Sequence, residues 1–178
     1  MIALFDTPWY AWPTTAALIA SVVAIFIMAK TYLGQRHLKL IEAISNLGRD
    51  FTDFECGISL AALPSPNFGK RLERIGGWDG FADILNRMEM SATIVGFYGN
   101  CESAKAAAEL YPLAKKLYLQ VYNAVTYATA EVGSDDNLHQ KRHDAMLFLT
   151  TVMDGVAQVD CRQKWLEIQS TTKLCILH

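Results

Sequence analysis

The chain has 178 residues, enough for about one compact domain. Its 16 Lys and Arg nearly balance 18 Asp and Glu, so the clustered basic surface of a nucleic-acid-binding module is not expected. Cys56, Cys101, Cys161 and Cys175 are scattered with no CxxC pair, which reads as free thiols in a reducing compartment and not as a disulfide framework.

The first element is the run Pro13 to Lys30, PTTAALIASVVAIFIMAK. From Ala16 to Ala29 its only polar residue is Ser21, so every helical face is apolar, unlike the single stripe of a surface helix. No Lys or Arg precedes the run and no small-residue cleavage site follows it, which argues against an export signal. As a helix it would rise about 27 Å, close to the hydrocarbon thickness of a thin bilayer. Trp9, Tyr10 and Trp12 stand at one end and Tyr32 at the other, as interfacial aromatic belts do. Pro13 sits where a first-turn proline loses no hydrogen bond. Lys30, Arg36 and Lys39 follow the run, which by the positive-inside rule puts the N-terminus outside and the rest in the cytoplasm. The expectation is a single-pass anchor in the cell inner membrane, marked by Trp12, Pro13, Lys30 and Tyr32.

The expected order is a short N-terminal segment (1–12), a transmembrane helix (13–32), a stalk helix (33–55), a loop (56–77), a helical bundle (78–170) and a tail (171–178). In the stalk, Leu40, Ile44, Leu47, Phe51 and Phe54 recur at helical spacing, with Lys39, Glu42, Asn46, Arg49, Asp50 and Asp53 assigned to the other faces. Pro64, Pro66 and Gly69 mark the loop. A helix from Trp78 to Tyr98 carries Phe81, Leu85, Met88, Ala92 and Val95 on one stripe, and Asn100 can cap the next element.

The following segment keeps a stripe of Leu110, Leu113, Leu117, Val121, Val125, Ala128 and Val132, with Pro112 expected to divide or kink it. The last helix opens near Ser134 and Asp135, its inner face formed by Leu138, Ala145, Leu149, Val152, Val156 and Val159. No strand alternation lasts long enough to count. The fold class is therefore all-α: one N-terminal transmembrane helix followed by a cytoplasmic bundle of three to four helices.

Few residues suggest chemistry. His139 and His143 lie one turn apart, a spacing that can chelate a metal, but no third ligand is clearly on their face, and a solvated helix surface is the simpler reading. Asn86, Glu89 and Thr93 form one polar line on an otherwise apolar helix; buried, it would join two helices by hydrogen bonds or line a small polar pocket. The ending Cys175-Ile176-Leu177-His178 has the form of a prenylation box, with a last residue unusual for one, and is read as chance. No group of residues assembles catalytic roles, so the reading leans away from an enzyme and calls for no cofactor.

The stretch Leu85, Asn86, Glu89, Ala92, followed by LYPLAKKLYLQVYNAV, resembles the bacterial family called domain of unknown function 4760. That resemblance implies an N-terminal membrane helix with a helical cytoplasmic region and no assigned activity. The expected role is an accessory or interaction subunit of a membrane complex. Its partners are the lipid bilayer and other membrane subunits or a second copy, not nucleic acid, and Tyr111, Tyr118, Tyr122 and Tyr127 supply docking surface. The alternative is a self-associating sensor or effector at the membrane, in a stress or phage response.

Overall fold

A computed structural model describes residues 12–63, 72–130 and 136–176, and all regular structure among them is helical. The elements are α1 (Trp12–Ala62), α2 (Gly77–Tyr98), α3 (Cys101–Thr129), α4 (Asp136–Met153) and α5 (Val159–Ile176), with 3₁₀ turns at Glu73–Ile75 and Val156–Gln158. The chain divides into two compact units, Met1–Leu38 and Lys39–His178.

In the first unit α1 is helical with no side chain buried from Ala17 to Leu38. Large apolar residues along it, from Leu18 (65% exposed) to Leu33 (53% exposed), are uncovered. Two of its hydroxyls bond back to their own helix: Ser21 Oγ donates to the Ala17 carbonyl at 2.8 Å and Thr31 Oγ1 to that of Ile27 at 2.9 Å. By length and composition this helix can cross a membrane.

The second unit is an up-and-down bundle. The α1 segment from Lys39 runs antiparallel to α2, since Phe54 meets Phe81, Asp50 meets Arg87, and Lys39 meets Tyr98. A tight turn reverses α2 into α3, so that Phe81 lies on Tyr118 and Trp78 on Tyr122. The chain then returns along α3 through α4 and α5, with Lys141 over Tyr127, Lys164 on Glu109 and Asn100 bonded to the Thr171 carbonyl. α3 packs against α2, α4 and α5 and is the centre of the assembly. At its start the Asn100 side chain accepts from the Ser103 N–H at 2.7 Å, the cap expected there.

Four boundaries differ from those read in the sequence. The segment expected as a free stalk packs into the core from Leu40 onward, with Leu40, Ala43, Leu47, Phe51 and Phe54 buried, so the bundle begins at Lys39 and not at residue 78. The loop expected from residue 56 starts later, because Ile58, Ala61 and Ala62 prolong the buried stripe to the end of α1. Gly57 is there for closeness, not for a turn: a Cβ would come 3.0 Å from the Phe81 ring. The proline signals Pro64 and Pro66 lie outside the described residues. Pro112 leaves α3 unbroken. Its missing N–H deprives the Ala108 carbonyl of a donor, but Ala108 is exposed, while Leu110, Ala114 and Leu117 are buried on both sides of the proline.

The last helix, expected as one piece, is two. Gly155 takes φ +74°, a left-handed conformation that ends α4, and a 3₁₀ turn leads into α5. Ala145, Leu149 and Val152 are buried as expected, whereas Val156 (64%) and Val159 (52%) are exposed because the break rotates them off the inner stripe. Buried Gln158 covers the break: its Nε2 donates to the Val152 carbonyl at 3.4 Å and its Oε1 accepts from Arg162 at 2.9 Å.

Phe81 is fully buried between Phe54, Trp78 and Tyr118 and so joins α1, α2 and α3. Phe81→Ala is expected to cost about 3–5 kcal/mol by transfer and cavity terms. Denaturant unfolding of the full-length protein in mild detergent, followed by far-ultraviolet circular dichroism, measures this; a cost below about 1 kcal/mol would contradict the packing.

Candidate functional site

The polar line expected in the interior is on the surface. Asn86, Glu89 and Thr93 are all exposed on α2, and Thr93 Oγ1 donates to the carbonyl of Glu89 at 2.8 Å. The buried stripe of α2 is Phe81, Ile84, Leu85, Met88, Ala92 and Val95, a quarter-turn or more away. One substituent every three to four residues is shared by both stripes, and the larger apolar set takes the core.

The buried carboxylate is instead Asp50, 1% exposed and assigned from sequence to an outer face. Its neighbours explain the placement: Leu47, Asp50 and Phe54 stand three and four residues apart, on the stripe that enters the core. Arg87 Nε donates to Asp50 Oδ1 at 3.0 Å, and the Arg87 guanidinium also lies 3.9 Å from Asp53. Arg87 is half-exposed, so only one end of the pair bears the cost of desolvation. A second polar connection joins α1 to α5, where Arg162 bonds both Glu55 and Gln158. A third lies on the surface between α3 and α5. Lys164 sits 2.8 Å from both Glu109 and Glu167, which holds Glu109 below its usual range and pushes Lys164 up to about 12. These are helix-locking contacts; none sets a nucleophile beside a base.

The outer face of α2 carries a row of exposed apolar side chains. Met90 (68%), Ile94 (38%) and Phe97 (77%) recur at helical spacing. Next to them an open groove of about 370 Å³ runs between α2 and α3, floored by Ala92, Gly96, Ala104 and Ala107 and edged by Phe97 and Tyr111. Small residues on a groove floor let another side chain or helix approach closely. The surface tyrosines expected as docking groups are partly committed elsewhere: Tyr118 and Tyr122 pack edge-on against Trp78, and burial raises the Tyr118 phenol, helped by Tyr122 and Asp79. Tyr127 and Tyr111 each lie under a lysine, Lys141 and Lys115.

Of the other sequence candidates, His139 and His143 are exposed on α4, and among the described residues no group of three or more His, Cys, Asp or Glu could hold a metal ion. Lys30 and Tyr32 are exposed on α1, and Trp12 and Pro13 open that helix, their side chains lying outside the described set. The Cys175 side chain lies outside it as well. Cys56 and Cys101 are exposed free thiols, whereas Cys161 is buried, which pushes its thiol up to about 11, with Asp160 and Glu55 adding to the rise.

Two outcomes follow from this arrangement. Arg87→Ala leaves buried Asp50 with only the exposed Arg49, 3.9 Å away, as a cation and is expected to cost roughly 2 kcal/mol; Asp50→Asn, which keeps an acceptor for Arg87, is expected to cost about 1 kcal/mol. Equal costs in unfolding titrations would show that the charge on Asp50 plays no part. In single-cysteine variants of the native protein, maleimide is expected to label Cys56 and Cys101 rapidly and Cys161 only after denaturant is added; fast labelling of native Cys161 would contradict its burial.

No protein-family model, no curated protein and no solved structure matches this chain.

Proposed function

We propose that the protein is a non-enzymatic, single-pass membrane protein whose bundle acts as an accessory or interaction subunit of a membrane complex. The observation that carries the reading is the uncovered apolar stretch of α1: an 18-residue window of mean hydropathy 1.9 with none of it buried. A soluble core helix would be packed on at least one side, and water is a poor solvent for Leu18, Ile25, Phe26 and Met28 side by side. Lys30, Arg36 and Lys39 beyond that stretch favour an inner-membrane protein with its N-terminus outside and the bundle in the cytoplasm. The resemblance to domain of unknown function 4760 through Leu85, Asn86, Glu89 and Ala92 belongs to this proposal and supports the architecture alone.

The docking surface in this reading is the α2 face bearing Met90, Ile94 and Phe97 with the small-residue groove beside it. A ridge of exposed apolar side chains next to a groove suits the apolar face of an amphipathic cytoplasmic helix of another membrane subunit. The continuous helical run of α1 from Trp12 to Ala62 favours the second reading, a self-associating sensor, because a signal can be carried along a continuous helix.

The test is native mass and composition after extraction in mild detergent. A large assembly with other membrane proteins is expected, together with loss of the partner in Phe97→Glu while the fold is retained. A homo-oligomer would overturn the accessory role in favour of the sensor, and recovery in the soluble fraction after alkaline washing would overturn the anchor.

A further inference from the structure

At the end of the bundle where α1 finishes, α4 stands off from α1 and α3 and leaves a pocket of about 210 Å³. Its walls are Ala62 from α1, Val125 and Ala128 from α3, and Met146, Leu149 and Met153 from α4. The pocket is open to solvent on the side of Arg142, Met146, Thr150 and Met153, which are exposed, while Ala62, Val125 and Leu149 form a buried inner wall. The two hydroxyls on the wall are spoken for by their own helices: Thr129 Oγ1 donates to the Val125 carbonyl at 2.8 Å and Thr150 Oγ1 to that of Met146 at 3.0 Å. Against the buried inner wall water finds few of the two to four partners it needs, and an apolar group seated there displaces it at a gain. Met146 and Met153 remain 45% and 47% exposed there, and methionine is the side chain that adapts best to a variable apolar occupant.

One charged group stands on the lining, Arg142, and it makes no salt bridge with any acid among the described residues. Arg142 is exposed on α4, and among the described residues other exposed cations such as Arg74 and Lys116 also make no salt bridge, so what sets Arg142 apart is its place on the wall of this pocket. An apolar hollow with a single unpaired guanidinium asks for an occupant with an apolar body and one anionic end. We propose that this pocket binds a free single-chain fatty carboxylate, its chain between α1, α3 and α4 and its carboxylate on Arg142. A guanidinium suits this terminus because it can offer two parallel N–H donors to the two carboxylate oxygens.

The test uses full-length protein in phosphatidylcholine nanodiscs with ¹³C-methyl methionine, titrated with decanoate below its micellar concentration. Saturable shifts of the Met146 and Met153 methyls are expected, with Met90, on the outer face of α2, unmoved. Decanol should bind about fivefold more weakly, Arg142→Gln should weaken decanoate by a similar factor, and Ala128→Phe should abolish binding by filling the space. Should Ala128→Phe fail to fold, the decanoate–decanol comparison and Arg142→Gln still decide. Absence of saturation, equal binding of decanol, or Met90 shifting in step with the other two would each overturn the proposal. Shifts at Met146 and Met153 caused by phosphatidylglycerol nanodiscs alone would overturn the free carboxylate as the source.

Discussion

The bundle depends on the aromatic packing around Phe81. This ring is held on three sides, by Phe54 at 5.6 Å, Trp78 at 6.1 Å and Tyr118 at 5.0 Å between centroids, so one side chain fixes the register of α1, α2 and α3 together. The edge-on arrangement with Tyr118 is the orientation that aromatic quadrupoles favour. Its geometry also sets the spacing of α1 against α2, for Gly57 opposite the Phe81 ring admits no larger residue without displacement. Gly48 repeats the device at the α5 interface, where a Cβ would come 2.9 Å from Trp165. Two glycines nine residues apart on α1 thus receive one large ring each from α2 and α5.

Polar contacts complete this frame at the places where apolar packing has no directional preference. Asp50 lies within the apolar stripe and accepts a guanidinium from α2, which distinguishes one register of the helix pair from its neighbours a turn away. Arg162 spans α5, the α4–α5 break and α1 by bonding Gln158 and Glu55 at once. At the break the Val152 carbonyl accepts from the Gly155 N–H at 3.0 Å, and Gln158, itself 1% exposed, adds a second donor from its side chain at 3.4 Å. Gly155 therefore releases the backbone from helical geometry, and the Gln158 side chain packs over the turn it makes, bonded to the Val152 carbonyl and Arg162.

Apolar periodicity made the helices legible in the sequence, and its limits account for the errors. The stripes Leu40–Leu47–Phe51–Phe54 and Phe81–Leu85–Met88–Ala92–Val95 are buried as their spacing predicts, because many apolar residues agree on one direction. Single residues carry no such redundancy. Pro112 looked like a breaker, yet packing on both sides outweighs one lost hydrogen bond. Gly155 looked like an ordinary position within a long pattern, yet only it admits φ +74° without strain, and the valines after it are displaced from the stripe. Asp50 was grouped with polar residues by type although its spacing from Leu47 and Phe54 marks it as internal, whereas Asn86, Glu89 and Thr93 were drawn inward by a helix whose core face lies elsewhere. The open groove and the α4 pocket had no signal in the sequence, since each is formed by residues from separate helices.

The change in character along α1 is the remaining step. From Ala17 to Leu38 its apolar side chains are uncovered on every face, and from Leu40 the buried ones fall on a single stripe while Glu42, Arg49 and Asp53 point outward. A helix that is apolar all round and a helix that is apolar on one side are stable in different surroundings, the first where no face meets water and the second where one face does. Both halves keep their backbone hydrogen bonds internally, so the transition costs nothing in helical geometry and is carried wholly by the choice of side chains. The polar residues Lys30, Gln35, Arg36, His37 and Lys39 fall in the stretch where that choice changes, and charged heads on long stems are the side chains best able to serve both kinds of surroundings.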